Sequence, residues 1–259
     1  MNGGASSCEP RVVTVSCIGK AASQELAPPD LHVRWLGWME FAHALTLQQE
    51  IVLAKRHDSV EDQLLLLEHQ PVYTIGRTPD QSSLSARRTV GRIRHGELSA
   101  VHLPHPLFAI NRGGQATYHG PGQLMGYPII DLRRCGQDLH KYLRWLEQLL
   151  IDLLDEHGIA ASRRESLTGV WVGDRKIASI GVGVRHWITM HGFALNVCGD
   201  LSPFDQIVPC GINNVTMTSM EKETGTAFSV ARVAASIEKL ALNLIGDLRV
   251  IREAQPINV

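Results

Sequence analysis

Two residues stand out as candidates to make and break bonds. Cys210 lies in "FDQIVPCGINN", between Pro209 and Gly211, and Lys176 opens "KIASIGVGV". A thiolate attacks carbonyl carbon readily. A lysine beside it either favours the thiolate as an ammonium or takes its proton as a desolvated amine. Buried free cysteines are commonly inert, and a loop cysteine flanked by proline and glycine is easier to reach. A lysine opening a strand is ordinarily solvated. Two readings therefore stay open for Lys176: a surface cation, or the partner of Cys210. Cys135 follows Arg133 and Arg134 and is the rival nucleophile, because neighbouring cations lower a thiol pKa. Cys198, in "ALNVCGD", reads as structural.

The stretch "NRGGQATYHGPGQLMGYPIIDL", Asn111 to Leu132, is the candidate binding element. Gly113-Gly114 and Gly120-Pro121-Gly122 bracket Gln115 to His119. Glycine lets a ligand approach backbone N–H groups closely, and Arg112 and His119 supply polar handles. A tight double turn between strands explains the composition equally well. The stretch is neither a Walker A loop nor a dinucleotide fingerprint. His119 and His191 each read as a core histidine or as a general acid/base. There is no HExxH and no GxSxG, which removes the main support for a zinc protease or an α/β-hydrolase.

The elements that must position these residues follow from periodicity. Gly37 to Arg56 reads as an amphipathic helix, with Phe41, Ala44, Leu45, Ile51 and Val52 at helical spacing. "QLLLLEH" and "PVYTIG" read as two short strands parted by Gln70-Pro71. "LFAIN" and "YPIIDL" read as strands on either side of the glycine-rich stretch. Asp138 to His157 is the clearest helix, capped by Asp138 and ended at Gly158. Its stripe, from Leu139 and Leu143 to Leu153 and Leu154, reads as core. "GVWVGDRKIASIGVGV" reads as a hairpin turning at Gly173-Asp174. Strand alternation puts Lys176, Ala178 and Ile180 on one face and Ile177, Ser179 and Gly181 on the other. "TMHGFALNV" is a further strand, and Ser229 opens a last helix. Strands between separate helices indicate an α/β fold of the α+β kind, with mixed sheets flanked by helices.

The chain has 259 residues, 44% hydrophobic and 20% charged, with a net charge of −1. That suits a sizeable core. It points to neither nucleic acid nor a membrane surface as partner. The run "SARRTVGRIRHG", Ser85 to Gly96, reads as a solvated loop. The five cysteines are odd in number and show no CxxC spacing. No disulfide framework and no metal site are expected, and a reducing, cytoplasmic location is the simplest reading. Residues 1–29 read as a flexible extension, 30–250 as one catalytic domain and 251–259 as a tail.

Taken together, "RGGQATYHGPGQLMGYPIIDL", "GVWVGDRKIASIGVGVRHWITMHGFALNV" and "FDQIVPCGINN" resemble the octanoyltransferase family of lipoate biosynthesis. "DQLLLLEHQPVYTIGR" looks like that family's N-terminal strand pair. The resemblance runs from about Val33 to Ala241. It implies the fold shared with biotin and lipoate protein ligases. It implies octanoyl-acyl carrier protein as donor. The acceptors it implies are lipoyl domains of 2-oxoacid dehydrogenase E2 subunits and the glycine cleavage H protein. It implies Cys210 as bearer of the acyl thioester and Lys176 as acid/base and pKa-lowering partner. The acyl site would be lined by Arg112, Gly113, Gly114, Gln115, Ala116, Thr117, Tyr118 and His119. Ser179, Ile180, Gly181, Gly192, Phe193 and Ala194 would complete it. No cofactor is implied, because the incoming thioester is already activated. The Arg77 to Ile110 connection and the N-terminal extension depart from the family pattern.

The alternative of the same fold is an ATP-dependent lipoate or biotin protein ligase, which needs no acyl-bearing cysteine. A non-catalytic module that binds carrier or lipoyl domains is a third reading, opposed by the presence of both Cys210 and Lys176.

Overall fold

The computed structural model describes residues 31–57, 59–77, 82–84, 97–98, 103–211 and 215–249; for 82, 97, 98 and 210 it describes the backbone alone. The expected extension, the tail and the Ser85–Gly96 run lie outside the described residues, as do Cys8 and Cys17.

Along the chain come β1 (Leu31–Met39), α1 (Phe41–Arg56), β2 (Asp62–His69), β3 (Val72–Ile75), β4 (Glu97–Leu98), β5 (Leu107–Ala109), β6 (Thr117–His119) and β7 (Gln123–Ile129). Then follow α2 (Leu139–Glu156), β8 (Ser162–Arg164), β9 (Leu167–Val172), β10 (Arg175–Arg185), β11 (Ile188–Asn196), β12 (Thr216–Met217), α3 (Met220–Thr224) and α4 (Val230–Arg249). The large sheet runs β1-β2-β7-β11-β10-β9-β8, with β12 paired to β10, and the small one runs β4-β5-β3-β6. Mixed sheets flanked by helices are the α/β class expected.

The apolar run of β2 is buried on both faces, and the two faces have different covers. Leu64 and Leu66 pack with Leu124, Phe193 and Leu195 against α2 and α4. Leu65 and Leu67 pack with Met125, Tyr127 and Ala194 against Ala44, Ile51 and Val52 of α1. Alternation along a pleated strand produces this division. A buried ionic knot ties the layers together. Asp62, 1% exposed, meets Lys55 at 2.6 Å and Arg249 at 2.9 Å and accepts from the Asp131 backbone N–H.

Several sequence expectations are corrected. The first helix begins at Phe41, not Gly37, because Leu31–Met39 pairs in parallel with β2 as an edge strand. That strand carries an irregularity between Trp35 and Trp38, which breaks the alternation that would reveal it. β2 and β3, read as a neighbouring pair, belong to different sheets. The stretch Asn111 to Leu132 is less of a loop than its glycines suggest, because Thr117–His119 and Gln123–Ile129 are strands.

Candidate active site

A cavity of about 430 Å³ opens between the two sheets and the start of α2. The expected substrate residues line it with two exceptions: Arg112 to Gln115, Thr117, His119, Ser179 to Gly181 and Gly192 to Ala194 are all at its wall. Ala116 and Tyr118 are not. Tyr118 on β6, and Ala116 just before it, alternate with Thr117 and His119, so they turn the other way, into the cluster of Tyr73, Phe204 and Ile207.

Lys176 also lines the cavity, and it is buried, with 1% of its surface exposed. The solvated-cation reading is therefore wrong. The alternation reading fails too, because Lys176 and Ser179 reach the same cavity. The β9–β10 register shifts between Lys176 and Ala178. One extra residue there reverses the sidedness of what precedes it.

Arg112 is fixed by the small sheet. Its Nη2 donates to Thr74 O at 3.0 Å and Thr74 Oγ1 at 2.9 Å, and its Nη1 donates to Gly113 O. The polar chain continues inward. Thr74 Oγ1 lies 3.2 Å from His119 Nε2, and His119 Nδ1 lies 3.3 Å from Gln123 Oε1. Gln123 in turn donates to Tyr118 O. The amide oxygen only accepts, so His119 carries its proton on Nδ1 and accepts from Thr74 at Nε2. Burial first, then competition with His69 for a proton and the Arg112 charge, hold His119 well below the ordinary imidazole range. His69 is pushed down to about 4 by burial. Its Nδ1 faces Met39 O at 2.7 Å and its Nε2 accepts from Tyr127 Oη at 2.7 Å. His191, at φ +58, is held down to about 3 by burial and by Arg112. Its Nε2 has no hydrogen-bond partner among the described residues. These three histidines are neutral near pH 7, so they add no positive charge beside Arg77 and Arg112 at the cavity wall.

The rival thiol is corrected. Cys135 is buried and its pKa is pushed up to about 11, burial being the main cause. The neighbouring Arg133 is taken by Asp131, at 2.6 Å. Cys198 is raised as well, by burial and then by Glu221 and Glu68. The side chain of Cys210 lies outside the described residues, but its backbone is placed. Pro209–Gly211 forms a single 3-10 turn, anchored by the Val208 N–H to Ser83 O at 2.7 Å. Gly211 packs so tightly on the cavity-lining Gln115 that a β-carbon would overlap its carboxamide. The thiol's own neighbour thus touches the cavity wall.

Several lining residues escaped the sequence reading. Leu139 and Leu143, read as core, line the cavity instead, from the first two turns of α2. Phe41, Met125 and Tyr127 join them, as do Ser166 to Thr168. Phe41, Met125, Leu139 and Leu143 carry the spacing of core residues, so nothing in the sequence sets them apart as lining residues. Among the described residues no grouping of His, Cys, Asp and Glu could hold a metal ion, and no helix is long and apolar enough to cross a membrane.

The profile of the lipoyl protein ligase A/B catalytic domain matches residues 40–240, most of the chain. The chain belongs to this family. Among family relatives, the octanoyltransferase of Geobacter sulfurreducens is 47% identical over 205 residues, covering 78% of this chain and 79% of its own. The octanoyltransferase of Geotalea uraniireducens is 42% identical over 220 residues, covering 85% and 95%. Solved structures share the fold of this lipoyl protein ligase family member at far lower identity. A lipoate-protein ligase A bound with ATP superposes with a TM-score of 0.60 at 14% identity, over 85% of this chain and 86% of that one. A biotin protein ligase from Aquifex aeolicus with biotin and ATP gives 0.51 at 13%, over 84% and 70%.

Proposed function

We infer that this chain is an octanoyltransferase. It moves an octanoyl group from octanoyl-acyl carrier protein, through a thioester on Cys210, to the lysine of a lipoyl domain. The observation that carries the reading is the name shared by relatives at 42–47% identity over most of the chain, joined to a cavity with a buried lysine at its wall. The ligase reading has only distant fold likeness behind it. Residues 30–250 act as the catalytic domain, in keeping with the profile match over 40–240.

The steps balance as follows. Lys176, as the free amine, takes the proton of the Cys210 thiol. The thiolate attacks the octanoyl carbonyl, the bond from that carbon to the carrier sulfur breaks, and Lys176 returns the proton to the departing thiolate. Backbone N–H groups of a glycine-containing turn stabilise the oxyanion. The acceptor amine then attacks the Cys210 thioester. Its proton passes by way of Lys176 to the Cys210 sulfur as the second carbon–sulfur bond breaks. Thioester exchange is close to neutral, and amide formation drives the sum forward, so no ATP enters. Ile180, Phe193, Leu139 and Leu143 offer the apolar wall for the chain, each buried CH₂ contributing ~0.8 kcal/mol.

The test is intact-mass measurement after incubation with octanoyl-acyl carrier protein and no ATP. A hydroxylamine-labile octanoyl adduct that maps to Cys210 and vanishes in Cys210→Ser supports the reading. ATP-dependent use of free octanoate that survives Cys210→Ser would sink it.

A further inference from the structure

Glu147 is a carboxylate on α2 with 1% of its surface exposed, and the other buried residues of that helix are Tyr142, Trp145 and five leucines. A charge this deep costs several kcal/mol unless its oxygens are satisfied. Oε2 is satisfied by two guanidinium groups, Arg144 at 2.6 Å and Arg163 at 3.0 Å. Oε1 instead reaches across to the β-sheet and accepts from the Gly169 backbone N–H at 3.3 Å.

Gly169 is an unusual point to hold. Its φ of +125° is open only to glycine. It packs against Lys176 so closely that a β-carbon would lie 2.8 Å from Lys176 Cε, 3.3 Å from Nζ and 2.6 Å from Ala178 O. On the other side Lys176 Nζ lies over the Trp171 ring, 5.3 Å from its centre, and Arg164 covers the same indole at 4.9 Å. The end of Lys176 therefore sits between Gly169 and Trp171, both of β9. Trp171 is paired to Lys176 in the ladder, and the last β9 residue with a β10 partner is Val170. Gly169 lies just past that point. The Glu147 bond takes over where the β9–β10 ladder stops.

We propose that Glu147 is a positioning residue, which fixes Gly169 and through it the place of Lys176 Nζ in the cavity. This rests on the reading of Lys176 as the proton carrier. Proton transfer demands close placement of the amine, and an error of about 1 Å can cost up to 10²-fold in rate. A merely stabilising ion pair would leave turnover alone.

The experiment measures steady-state octanoyl transfer to a lipoyl domain by the full chain and its variants. Glu147→Met keeps the volume and helix preference, folds without the buried charge and removes the acceptor. Glu147→Gln keeps an acceptor for the Gly169 N–H, and the partly exposed arginines can turn to water. The expected result is kcat lowered about tenfold in Glu147→Met with KM within about twofold, and kcat within about threefold of wild type in Glu147→Gln. A folded Glu147→Met with wild-type kcat overturns the proposal, and so does Glu147→Gln falling as far as Glu147→Met. Lys176→Ala, run alongside, separates the two failures. Full turnover in that variant would sink the reading of the site, and this inference with it.

Discussion

Lys176 Nζ lies 5.3 Å from the centre of the Trp171 indole, in a lysine that is 1% exposed. The ring face attracts a cation, and the same side chain lines the cavity rather than the solvent-facing surface. Lys176→Met retains the length and apolar stem and drops the charge. We expect octanoyl transfer to fall by about 100-fold or more, with the melting temperature unchanged or raised. Thermal unfolding beside a transfer assay checks both halves. A variant that keeps near wild-type turnover removes Lys176 from the chemistry.

Gly211 ties the turn holding Cys210 to the cavity. Its φ is +71°, and its neighbour across the gap is the Gln115 carboxamide. A β-carbon there costs about 1–2 kcal/mol in left-handed backbone and pushes a flexible side chain aside rather than a rigid wall. Gly211→Ala is therefore expected to fold with a modest loss in urea stability. The displaced Gln115 should raise KM for the octanoyl donor several-fold. An unaltered KM would mean that Gln115 does not meet the donor.

The buried histidines set the acid limit of the fold. His69 and His191 have folded pKa values near 4 and 3, against 6.5 for a free imidazole, and His119 is lowered as well. The unfolded chain therefore binds protons below pH 6.5 that the folded chain refuses. Stability is full above that pH, falls as pH drops from 6.5 toward 3, and levels off below the folded values. Each histidine contributes about 1.4 kcal/mol per pH unit inside that window. Urea unfolding at pH 7.5, 6 and 5 should show a steepening loss. His69→Gln should flatten the curve, whereas equal stability at all three pH values would contradict neutral burial.

Cys135 should be chemically silent. Its thiol is buried, with a pKa of about 11. In the native protein at pH 7.5, iodoacetamide is expected to leave it unmodified in a peptide map. Cys135→Ala should transfer octanoate at a rate within about twofold of wild type and lose about 1 kcal/mol of stability. Loss of turnover in a folded Cys135→Ala would restore it as the rival to Cys210.

Much of the architecture is written locally. The α2 stripe with its Asp138 cap and the β9–β10 turn at Gly173-Asp174 follow from spacing, because each depends on near neighbours. The apolar face of α4 does so for the same reason. The segments around Cys210, Lys176 and Arg112 were also distinct enough in sequence to suggest the family. Long-range pairing decided the rest. The irregularity beside Ile177 turned Lys176 into the cavity against simple alternation. The parallel pairing of β1 with β2 claimed Leu31–Met39 from the first helix. The Arg133–Asp131 pair removed the cation that was to activate Cys135. The Glu147 bond to Gly169 spans 22 positions and leaves no periodic trace at either end. Periodicity records which residues avoid water. Which buried groups then face one another depends on the register of strands far apart in the chain, and here that register is what buries Lys176 at the cavity wall.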